Sequence, residues 1–180
     1  VGVSESSTIA NCHNSGNVLG GYSVGGIVGH SSASTLTKIS SSGVVIGSNT
    51  VGGLCGETFD STISKSFFSG SVVGNDPYPT NAGGLVGNFN FSKVTDSYSA
   101  ANSVIANHAS GGSVGGAFGY TVGAEITNVY SAVPTVVGNS KAGTFAGEMT
   151  MDFSSFTSNY WDSTINLTTG VGFFDLSTLF

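Results

Sequence analysis

Arginine is absent from this 180-residue chain, and only four lysines stand against ten carboxylates, for a net charge of −6. Nucleic-acid binding replaces phosphate counterions with Lys and Arg, so this composition excludes it. An anionic membrane surface is excluded as a partner on the same ground. Charged residues of either sign make up 8% of the chain, against about 25% in an ordinary soluble domain. Long apolar runs are missing too: none approaches the roughly 20 residues of a membrane-spanning helix, so no membrane insertion is expected. Two cysteines, Cys12 and Cys55, are too few for a disulfide framework or a cysteine metal site. The chain opens on Val1-Gly2-Val3 without Met or a leader, which reads as a piece of a larger chain.

Glycine, serine, threonine and asparagine fill the space left by charge. There are 28 glycines, about twice the usual ~7%. Disorder would fit those residues alone, but the chain is 39% hydrophobic with 12 Phe and 6 Tyr, a payload that disordered segments lack.

One motif recurs through the chain. It reads Gly25-Gly26-Ile27-Val28-Gly29, Gly52-Gly53-Leu54-Cys55-Gly56, Gly83-Gly84-Leu85-Val86-Gly87 and Gly115-Gly116-Ala117-Phe118-Gly119. A degraded copy follows at Gly143-Thr144-Phe145-Ala146-Gly147. The steps between first glycines are 27, 31, 32 and 28 residues. A second pattern keeps the same beat, an aliphatic residue with a small one seven positions on. Its copies are Ile9 with Gly16, Leu36 with Gly43, Ile63 with Gly70, Val94 with Ala101 and Ile126 with Val133, with Phe153 and Tyr160 as a distorted sixth. Between turn residues the apolar positions form clusters of about four to six residues, too short for a helical period. The unit reads as three short strands and three turns, with glycine supplying positive φ at the corners. One unit cannot bury its own apolar face, so the units must stack. The longer repeats carry extra residues at 76–80 and 107–111, just before the next glycine pair.

Candidate chemistry is sparse. Gly21-Tyr22-Ser23-Val24-Gly25 and Gly111-Gly112-Ser113-Val114-Gly115 match a nucleophile elbow in letters, yet no helix pattern follows either. His13, His30 and His108 make no ligand spacing. The glycine motifs lack the Lys-Ser/Thr of a phosphate loop. Neither a cofactor nor a metal site is expected, and the chain does not read as an enzyme. Stacking in register would align Phe67, Tyr98 and Tyr130 as a surface ladder, a packing feature first and a sugar platform second. It would also set Lys65 beside Asp96, with Lys38 one coil earlier, which predicts an ion pair. Cys12 and Cys55 fall in different columns about two coils apart, beyond disulfide reach.

At these residues the sequence resembles the GLUG-motif family, named for a Gly-Leu-x-Gly core. Gly53-Leu54-Cys55-Gly56 and Gly84-Leu85-Val86-Gly87 match it directly. The stretch from Ile9 to Val18 is similar to the family's other half-repeat, and Tyr160-Trp161-Asp162-Ser163-Thr164 to a segment that follows such arrays. The resemblance implies large bacterial extracellular proteins, adhesin-like ones included, with the array as an accessory unit.

The expectation is therefore an all-β parallel solenoid of about five coils of 27–32 residues. Residues 1–164 form the repeats and 165–180 a divergent end or cap that folds over the last coil. The structural glycines are Gly25, Gly26, Gly29, Gly52, Gly53, Gly56, Gly83, Gly84, Gly87, Gly115, Gly116 and Gly119. The function expected is a non-catalytic structural or adhesive region of a bacterial cell-surface or secreted protein. The alternative is a subunit of an extracellular filament built by coil-on-coil stacking; ice binding and carbohydrate binding are more remote. Neighbouring domains, or identical subunits stacked end to end, are the expected partners, with host or matrix glycans as candidate ligands.

Overall fold

The computed structural model describes residues 1–75, 80–107, 111–150, 154–165 and 169–175. It is a parallel β-solenoid of about five turns, with no helix among the described residues. Each turn crosses four parallel sheets. In the third turn, Cys55–Phe59 lies in sheet A, Thr62–Ser64 and Phe67–Phe68 in sheet B, Ser71–Gly74 in sheet C and Asn81–Gly83 in sheet D. The unit thus has five strand segments rather than the three expected. The sequence clusters merged segments that bend at a single residue, because one residue at a corner leaves no polar gap to read.

Register holds across every step, long or short. Ile9, Leu36, Ile63, Val94, Ile126 and Phe156 form one inward column on sheet B. Val18, Val45, Val72, Val104 and Val136 form another on sheet C. Val28, Cys55, Val86, Phe118 and Ala146 fill a third on sheet A. Leu36, Ile63, Phe68, Leu85, Phe89 and Phe118 are wholly buried, each stabilising by about 1.5–3 kcal/mol. The expected sixth copy at Phe153 falls outside the described residues. Phe156 takes that place in the column, because the chain between Met149 and Ser155 absorbs a different length.

Both insertions sit at one corner. Sheet C ends at Gly74 and Ala106, and sheet D resumes at Asn81 and Ser113. Residues 76–79 and 108–110, His108 among them, lie outside the described residues. Extra length here leaves both flanking sheets in register, as a solenoid loop should. At the C-terminal end Val171–Asp175 pairs in parallel with Ala146–Thr150 and continues sheet A as its seventh strand.

The motif glycines do something other than expected. None of the twelve has positive φ. They serve close approach instead. Sheets D and A meet in an arch, where a Cβ on Gly52, Gly83 or Gly115 would collide with backbone of the same coil and the next. Across the thin interior the second glycine faces sheet B: a Cβ on Gly53 would enter the Phe68 ring, and one on Gly84 would strike Ser99. At the apex one carbonyl accepts two successive amides. Leu54 N and Cys55 N both donate to Leu85 O, at 2.9 and 3.1 Å. Leu54 O, Ala117 O, Phe145 O and Gly170 O take the same pair from the coil before.

The left-handed corners are built from other residues. Ser6, Ala33, Asp60, Phe91 and Gly123 bend the chain between sheets A and B, with φ of 44 to 58°. Asn11, Lys38, Lys65, Asp96, Asn128 and Ser158 bend it within sheet B, with φ of 49 to 56°. Serine ladders brace both corners. Ser61 Oγ donates to Phe59 O and accepts from Ser34 N, while Ser61 N donates to Ser92 Oγ. Ser66 and Ser97 repeat the arrangement at the second corner.

Candidate functional site

Outward-facing columns are the surfaces available for function. On sheet B, His13, Ser40, Phe67, Tyr98, Tyr130 and Tyr160 align in successive coils. The Phe67 and Tyr98 rings stack nearly parallel, with centroids 5.1 Å apart and planes 4° from coplanar. Their faces are turned toward each other along the rod and their edges toward solvent. A sugar stacks on an aromatic face, so this pair contributes packing rather than a platform. His13 Nδ1 shares a hydrogen bond with Ser40 Oγ at 2.8 Å. Tyr130 donates to Asp162 at 3.4 Å. Desolvation, then the Asp162 charge, pushes the Tyr130 phenol up, while hydrogen bonds from Thr164 hold the Asp162 carboxyl below its usual range.

Lys65 and Asp96 occupy the same corner of successive coils, and Lys65 N donates to Thr95 O. The expected ion pair is not among those formed. Asp96 Oδ1 instead accepts from Asn128 Nδ2 of the following coil at 2.6 Å. Ion pairs form at Lys93–Glu125 and Lys141–Glu148, at 3.1 and 2.6 Å, and His30 Nδ1 shares a hydrogen bond with Glu57 Oε2 at 3.3 Å. Ser113 Oγ donates to Glu148, with no histidine between them. Among the described residues no group of three His, Cys, Asp or Glu side chains converges as for a metal ion. Both cysteines are free, as their columns require. Cys12 is exposed and its Sγ takes the serine-ladder position toward Ala10 O. Cys55 is wholly buried, which pushes its thiol up to about 12.

Two surfaces escaped sequence reasoning, and a third, foreseen by it, completes the set. Sheet C carries an outward aliphatic stripe of Leu19, Ile46, Val73, Ile105 and Val137; only the strand bounds reveal that these residues face out. The second is the corner between sheets A and B, where Phe91 projects between Asp60 and Gly123. The third is the pair of rod ends. A recess of about 330 Å³ at the C-terminal end is lined by Phe145, Met149, Phe156 and Trp161 among others, and one of about 310 Å³ at the N-terminal end by Val1, Val18, Val24 and Ile27 among others. No protein-family model matches this sequence, and no curated protein matches it either.

Proposed function

We propose that this chain is a non-catalytic structural and adhesive segment of a secreted or cell-surface protein, a short rod that presents its outer columns to ligands. The observation that carries this reading is the continuity of the stack. The strands pair in register through successive coils, and among the described residues an apolar-lined recess lies at each end. Such ends suit extension by further coils or by a neighbouring domain. The GLUG-like repeats support an extracellular setting, and the low charge and hydroxyl-rich surface suit weak, repeated contacts.

Protease shaving of intact cells that make the full protein tests the location. Release of peptides from this segment is expected; recovery only after lysis would overturn the reading. Light scattering of the 180-residue chain separates the two structural versions. A stable monomer favours a segment of a larger rod, and linear polymers growing with concentration favour a self-stacking filament subunit.

A further inference from the structure

Phe91 is an outlier in its column. Four coils turn this corner with Ser6, Ala33, Asp60 or Gly123, residues that are small or that accept left-handed backbone readily. Phe91 does so with φ of 45° and its side chain half exposed. A bulky residue in that region is strained, and strain of this kind collects where a side chain has a task beyond folding. The ring is braced on two sides. Phe59 of the coil before meets it edge to face at 5.8 Å, and Gly123 of the coil after has no Cβ, which would otherwise enter the ring.

A cleft opens beside that ring. It has a volume of about 190 Å³ and spans three coils, lined by Asp60, Thr62, Phe91, Lys93, Gly123 and Glu125 with the two corner serines beneath. The serine hydroxyls donate to backbone carbonyls and are spent. That leaves two carboxylates, a threonine hydroxyl and one lysine around an aromatic wall. The volume is below the roughly 300 Å³ at which drug-sized pockets begin, room for a single ring. Two carboxylates against one ammonium, itself paired with Glu125 at 3.1 Å, disfavour an anion. An aromatic wall with hydroxyl acceptors beside it suits a neutral polyol ring with one apolar face.

We propose that this corner binds one pyranose unit of a neutral oligosaccharide, lodged against Phe91, with Asp60 and Glu125 accepting its hydroxyl protons. This rests on the adhesive half of the reading above and moves it from the Phe67–Tyr98 ladder to the Phe91 corner. The test is an amide-shift titration of the 180-residue chain with cellohexaose, maltohexaose and N-acetylchitohexaose, and with polygalacturonate as the anionic counterpart. At least one neutral hexasaccharide is expected to shift the amides of Ser61, Thr62, Ser92, Lys93 and Gly123. Phe91→Asn should fold, since asparagine accepts this backbone, and should abolish those shifts. Asp60→Asn should weaken binding about tenfold or more, the loss of a charge-assisted hydrogen bond. No shift with any neutral probe at millimolar concentration, shifts unchanged in Phe91→Asn, or a response to polygalacturonate alone would each overturn the site. None of these outcomes touches the surface-location experiment, so the two readings fail separately.

Discussion

The arch between sheets D and A and the corner between sheets A and B both reverse the chain, and they do so by opposite means. The arch spends glycine on space: its backbone stays at ordinary φ, and side chains are deleted so that strands can touch. The corner spends conformation instead: its backbone is left-handed, yet four of its five turns among the described residues keep a Cβ. Glycine in this chain therefore answers to crowding far more than to dihedral freedom, and the twist of the coil is absorbed by serine, alanine, aspartate, lysine and asparagine braced by serine hydroxyls.

The comparison breaks most easily at the arch. Gly53→Ala places a methyl against Gly84 O and the Phe68 ring. Overpacking of that kind costs about 3 kcal/mol or more when backbone must move, read as a lowered denaturant midpoint. Adding Phe68→Ser should not rescue it, because the Gly84 carbonyl remains in the way. Next in size is the corner brace. Ser61→Ala removes the acceptor of Ser34 N in a buried position, and an orphaned buried amide costs about 1–3 kcal/mol. Smaller again, and of opposite sign, is Lys65→Asn. It relieves a side chain held at φ 52°, and a gain of a few tenths to about 1 kcal/mol is expected. Thiol labelling should show the least energetic difference. Cys12 should react in the native state, and Cys55, buried and with its thiol near 12, only on unfolding. The sign follows from burial, which holds Cys55 in its neutral form, so mildly alkaline pH should not bring on its labelling in the native state.

Much of this architecture was legible because stacking turns a sequence period into a spatial column. Leu36, Ile63, Val94 and Ile126 were recognisable as one core line from spacing alone, and so were Phe67, Tyr98 and Tyr130 as one outer line. Glycine's role was not legible, since a Gly-Gly pair reads alike whether it provides φ or space, and only the distance to the next coil distinguishes them. The Lys65–Asp96 pair failed for a related reason: register places Cα atoms and leaves the choice of side-chain partner open, and Asp96 bonds Asn128 of the following coil instead. Phe91 escaped because its column holds a different residue in each coil, so no repeat advertises it.

Register across unequal steps is the claim on which all columns depend, and the 32-residue step tests it hardest. Thr95 and Thr127 are direct partners across that step, at a strand spacing of about 4.8 Å that lies within disulfide range. Thr95→Cys with Thr127→Cys, in a Cys12→Ser background, should oxidise to an intramolecular bridge that mass spectrometry assigns to those two positions. Failure of that pair to close, with closure of Thr95→Cys to Ile126→Cys instead, would contradict the stack.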